Sequence, residues 1–255
     1  MSNRRKFIRN SVLSAAAPFL PSVLQASDRQ ASAPAGKARH WVWVNPDVKD
    51  TESQLQQRYA AYNDAGIRGV LFEADSEKHF RAAKKQGLEA HRWNWTMNKG
   101  VKELMEKHPD WYAVSREGKS CIEQPPYVGY YRWLCPSKPE VLEYLKKEAE
   151  QILAKDYIDG LHLDYIRFCD VILPLNLWDK YGLVQDKELP AFDFCYCQTC
   201  RQEYKKISGK DPLELPHPDS VLSWRLFRYN AINKVVNQLA EVAGKQRKWI
   251  SAAVF

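Results

Sequence analysis

Apolar residues recur in two alternating rhythms along most of the chain. His40 to Pro46, Gly69 to Ala74 and Leu88 to Thr96 are short apolar and aromatic runs, and each reads as a strand. Between them, Gln54 to Ala65 and Glu77 to Gln86 read as helices, closed by Gly66 and Gly87. Strand and helix alternating at this pace predict βαβ units and a parallel sheet. Ser137 and Glu140 have the spacing of a capping box, opening a helix striped by Val141, Leu145, Ala149, Ile152 and Leu153. A fourth strand follows within Ile158 to Phe168, then a long helix from Val221 to Val242 and a fifth strand from Trp249 to Phe255. The predicted fold class is α/β, a (β/α) TIM-type barrel. Residues 40–255 would supply its N-terminal part with the first five strands, since eight strands with long loops take more than about 250 residues.

Two stretches break the rhythm. Met97 to Pro136 holds a short helix, Val101 to Lys107, then mixes aromatic and polar residues with Gly and Pro. Cys169 to Pro218 holds another short helix near Arg201 to Ile207. Long excursions after the strands of a parallel barrel often build its substrate site.

The chemistry-bearing residues sit at the strand ends that feed these excursions. Asp164 ends the fourth strand, and a carboxylate at the end of an apolar run is costly without partners. His162 shares its parity and Arg167 lies just beyond, so both are placed to set its orientation and charge. The bland alternative is an Asp–Arg pair that serves structure alone. Glu73 ends the second strand as a possible second carboxylate, or as a structural partner of Arg68 or Arg92. Trp43, Trp93 and Trp95 can floor a sugar subsite, with Asn45, His91 and His162 bonding hydroxyls. A lone strand His is otherwise a satisfied core residue. Charge clusters such as Lys146-Lys147-Glu148 and Lys205-Lys206 read as solvated helix faces.

Three runs carry a family resemblance: Lys107 to Trp111, Trp133 to Val141, and Asp159 to Arg167, with His91-x-Trp93 in support. Together they resemble the glycosyl-hydrolase-like family-ten domain, over about residues 40 to 255. The resemblance implies a glycoside hydrolase barrel acting on polysaccharide outside the cytoplasm. It departs from the pattern at Cys135, where a small polar residue is expected, and in the cysteine-rich insertion. Glycoside hydrolysis generally uses two carboxylates across the scissile bond. Asp164 is the first choice, as nucleophile or base, and Glu73 the possible second, with a general acid expected on a later strand. No cofactor is required for such catalysis. The alternative is a non-catalytic carbohydrate-binding barrel; a third class is a hydrolase with a catalytic metal.

Six cysteines remain, at 121, 135, 169, 195, 197 and 200. Cys195, Cys197 and Cys200 form one dense cluster, and Cys169 as a fourth ligand would complete a tetrahedral structural zinc site. Disulfides or free thiols are the alternatives.

The N-terminus reads as an address. Arg4-Arg5 precede a moderately apolar stretch to Leu24, as in a twin-arginine signal peptide over residues 1–26, with a linker over 27–39. The stretch is short and holds Pro18 and Pro21, against a stable membrane span. The expected partners are the twin-arginine export machinery and a glycan substrate, and the expected location is periplasmic or extracellular. Cleavage would remove Arg4, Arg5, Lys6 and Arg9 and lower the net charge from +7 to +3. No basic stripe calls for nucleic acid.

Overall fold

The computed structural model describes residues 39–253; the expected signal peptide, most of the linker and the last two residues lie outside the described residues. Five strands form one sheet in the order β1 (His40–Val44), β2 (Ile67–Phe72), β3 (Glu89–Trp95), β4 (Gly160–Asp164), β5 (Trp249–Ala252). Every neighbouring pair is parallel. The helices between them are α1 (Glu52–Asp64), α2 (Glu77–Lys85), α3 (Lys102–Lys107), α4 (Pro139–Leu153), α5 (Trp178–Tyr181), α6 (Gln198–Ser208) and α7 (Leu222–Lys245).

Alternation along the strands separates two faces. Val44, Val70, Phe72, Ala90, Leu161 and Leu163 pack in one core with Leu55 and Tyr59 of α1, Phe80 and Ala83 of α2, Val141, Leu145 and Ala149 of α4, and Val235, Leu239 and Val242 of α7. Each fully buried Val, Leu or Phe among them stabilises the layer by about 1.5–3 kcal/mol. The opposite, inner face carries Trp41, Trp43, His91, Trp93, Trp95, His162 and Asp164, and this face positions the site.

The helix starts show one expectation met elsewhere than predicted. Thr51 and Gln54 close a capping box at α1: Thr51 Oγ1 accepts from Gln54 N, and Gln54 Oε1 accepts from Thr51 N at 2.8 Å. The box expected at Ser137 and Glu140 does not form. Lys138 is the N-cap of α4, Pro139 occupies the first turn without an N–H to be capped, and the Ser137 hydroxyl lies 3.3 Å from Cys200 Sγ.

The excursion after β3 is stitched by short antiparallel bridges, Asn98 with Trp133, Tyr112 with Leu134 and Val114 with Ser120. A further bridge, Ser115 with Phe194, joins it to the excursion after β4. Among the described residues, no helix is long and apolar enough to cross a membrane.

Candidate functional site

Strand register stacks the inner-face side chains in rows. Trp43, Leu71, His91, Gly160 and Trp249 lie side by side, then Trp93, His162 and Ser251, then Trp95 and Asp164. Two glycines make the rows possible. A Cβ at Gly69 would stand 2.3 Å from the Trp41 ring, and one at Gly160 would stand 2.6 Å from His91 Nε2. Both rings lie flat over a neighbouring strand's bare backbone.

Asp164 ends β4 half-buried, at the carboxyl end of the sheet, where parallel α/β proteins bind ligands. Its Oδ2 accepts from Trp93 Nε1 at 2.9 Å, and its Oδ1 accepts from the backbone N–H of Tyr165 at 2.7 Å. Tyr165 adopts a left-handed backbone, φ 49°, costly for an aromatic residue. That turn folds the Tyr165 N–H back onto the carboxylate and swings the following chain off the strand axis.

The turn corrects one expectation. Arg167 does not reach Asp164; it pairs with Asp170 at 3.0 Å and covers the Trp133 ring at 5.2 Å and the Tyr165 ring at 5.6 Å. His162 forms no bond to Asp164 either, since its Nδ1 lies 2.8 Å from Ser251 Oγ. The orienting role expected of these two falls to Trp93, the adjacent inner-face indole.

Glu73 extends β2 by one residue, its N–H donating to Val44 O at 3.0 Å. Its carboxylate has no hydrogen-bond or ion-pair partner among the described residues. Arg68 bonds Asn63 at 2.7 Å, and Arg92 donates to the backbone oxygens of Phe72 and Trp93. Neither structural pairing is therefore formed.

Glu73 lines a groove of about 550 Å³ with Asn45, Trp93, Trp95 and Tyr130, so three of the predicted sugar-binding residues meet there. Trp43 stands beside them on the edge strand, 48% exposed, its ring 5.9 Å from that of His162. His91 is placed otherwise. It is 2% exposed, 4.7 Å from the Trp41 ring, and bonded to Ser251, so it belongs to the packed interior rather than to a sugar subsite.

The far wall of the groove holds Asn94 and Lys99, which the sequence did not single out. Lys99, 7% exposed at its side chain, pairs with Glu148 of α4 at 2.7 Å, and Asn94 bonds both. Glu148 is thus no part of a solvated helix face. Its signal was its position next to Ala149 in the apolar stripe. Burial lowers the Lys99 ammonium, while the Glu148 charge opposes the shift.

The cysteine cluster forms with one member exchanged. Cys135, Cys195, Cys197 and Cys200 are all buried, with their Sγ atoms within 4.8 Å of one another. Cys169 is elsewhere, its thiol directed at Asp170 O. The Ser115–Phe194 bridge and the bond from Tyr196 N to Val114 O set the second excursion against the first, which brings Cys195 to Cys135. Cys135, read from the sequence only as a departure from the resembled pattern, takes the place expected of Cys169.

Cys135 Sγ lies 3.6 Å from Cys197 Sγ and 3.4 Å from Cys200 Sγ. A disulfide would be about 2.05 Å, and all six cysteines are free. The edge of a tetrahedron with Zn–S of about 2.3 Å is about 3.8 Å. Hydrogen bonds from Cys135 and its neighbours, with the N-terminus of α6, hold the Cys197 thiol strongly down toward thiolate. The four-cysteine cluster is therefore able to hold a structural metal such as zinc. None of its members lines the groove with Glu73.

No family model matches the chain, and no curated protein sequence matches it. Solved structures do. The α-L-fucosidase isoenzyme 2 from Paenibacillus thiaminolyticus is 12% identical with a TM-score of 0.51, covering 85% of this chain and 33% of that one. The polyextremophilic β-galactosidase from Halorubrum lacusprofundi is 13% identical with a TM-score of 0.56, covering 84% of this chain and 36% of that one. The chain thus spans about a third of the length of these glycosidases. The fold is that of part of a glycosidase-type TIM barrel, five parallel strands alternating with helices.

Proposed function

We propose that this chain supplies the first carboxylates and the aromatic wall of a glycoside hydrolase site. The observation that carries the reading is the groove at the carboxyl ends of β1 to β3. It brings the unpaired Glu73 to Trp93, and Trp93 in turn holds Asp164 by a direct bond. The fold similarity and the family-ten resemblance of the Asp159 to Arg167 run support it.

Asp164 is the nucleophile or base. Its two N–H donors fix the direction of both carboxylate oxygens, so that it meets the anomeric carbon without reorganisation. Glu73, which lines the groove with Trp93, is the candidate second carboxylate, and a protonated carboxyl group assists the leaving oxygen. Trp95 and Tyr130, with ring centroids 5.8 Å apart, and the exposed Trp43 offer stacking faces to sugar rings.

The four cysteines bind zinc as a structural clip between the two excursions. The protein is exported through the twin-arginine route, on the strength of Arg4-Arg5 and the apolar stretch behind them. A binding-only barrel is the second reading, favoured by the commitment of both Asp164 oxygens to protein donors.

Incubating the purified protein with a panel of neutral and acidic polysaccharides separates the two. Release of new reducing ends from at least one glycan, reduced in Glu73→Gln, supports hydrolysis. Tryptophan quenching without any release favours the binding barrel, and neither response across the panel overturns both.

A further inference from the structure

In the row just below Asp164, one hydroxyl is shared by two imidazoles. Ser251 Oγ on β5 lies 2.9 Å from His91 Nδ1 and 2.8 Å from His162 Nδ1. The Nε2 atoms of both rings are buried without a partner. Burial lowers both imidazoles, His91 to about 4, so both are neutral near pH 7. A neutral imidazole has one N–H and one bare nitrogen, and a serine hydroxyl has one hydrogen to give. If both rings donated from Nδ1, the hydroxyl hydrogen would have no acceptor. If neither donated, a bare nitrogen and an oxygen lone pair would face each other. Opposite tautomers place one hydrogen in each contact.

We propose that Ser251 is a positioning residue that locks His91 and His162 into opposite tautomers, one Nδ1–H donating to Ser251 Oγ and Ser251 O–H donating to the other ring's Nδ1. Both Nε2 atoms lack a partner and each ring faces one carboxylate charge, Asp159 for His91 and Asp164 for His162, so the shared hydroxyl is what enforces the opposition. His162 stands next to Trp93, its partner in register and the residue that holds Asp164. The tautomers follow from geometry alone; only their service to catalysis rests on the hydrolase reading.

The test is the protonation of each imidazole nitrogen in the whole 15N-labelled protein at neutral pH, read by long-range 1H–15N NMR. Signals are assigned by loss in His91→Gln and His162→Gln. The expected result is a hydrogen on Nδ1 of one ring and on Nε2 of the other, a split that disappears in Ser251→Ala and returns in Ser251→Thr. Identical tautomers in the wild type, or a split that survives Ser251→Ala, overturn the proposal. If Ser251→Ala does not fold, the wild-type and Ser251→Thr spectra decide. No substrate is needed, so failure of the hydrolase reading leaves this result standing, and the reverse holds too.

Discussion

Two regions of the molecule assemble distant residues by different means. On the inner face of the sheet, register does it: Trp95 faces Asp164 and Trp93 faces His162 because the backbones of β3 and β4 pair that way. The side chains are delivered whatever their chemistry. In the two excursions no continuous ladder runs between the segments; isolated bridges and scattered hydrogen bonds join them, and Cys135 meets Cys195, Cys197 and Cys200 across some 60 residues of chain. A site built on a ladder tolerates the loss of one side chain, whereas a site built on shared ligands loses its frame with any one of them.

The largest expected effect tests that contrast at the cluster. Cys135→Ser should abolish bound zinc and open the two excursions, costing several kcal/mol because metal binding in such a site is folding energy. Metal analysis and limited proteolysis read it, with cleavage expected within residues 97–136 and 165–218 and the sheet's circular dichroism retained. Protein purified without chelator and free of metal would remove the difference between the regions.

The next effect belongs to the sheet. The His91 imidazole is pulled down to about 4 from its ordinary 6.5, by burial first, with the Asp159 charge opposing. As pH falls, the unfolded chain takes up this proton before the folded one. Stability is therefore full above about pH 6.5 and drops as pH falls toward 4, by about 3 kcal/mol. Urea midpoints across this range should show the slope, and His91→Gln should flatten it.

Gly160→Ala is the smallest step. Its Cβ meets a His91 ring already confined by Trp41 and Ser251, an overpacking that costs about 2 kcal/mol. The urea midpoint should fall while zinc content stays unchanged, which places the damage in the sheet alone.

Much of the ladder was legible in the chain. Short apolar runs and helical spacing marked the five strands and the helices between them, because both periods are written in consecutive residues. Parity likewise put Trp93, Trp95, His162 and Asp164 on one face. The partners of those residues were not legible. Arg167 is near Asp164 in sequence, yet the left-handed turn at Tyr165 carries it to Asp170. Ser251 and Glu148 act through contacts across 89 and 49 residues, and no local pattern announces such pairs. The cysteine cluster was half visible: C-x-C-x-x-C is a local motif, while Cys135 enters only through the loop bridges.

Asp164 does not line the groove itself; Trp93, which does, bonds it, and it is the proposed reacting carboxylate. On a glycan from which the wild type releases reducing ends, turnover by Asp164→Asn should fall by about a thousandfold or more, with the urea midpoint within error of the wild type. Unchanged turnover in a normally folded Asp164→Asn protein would contradict the account.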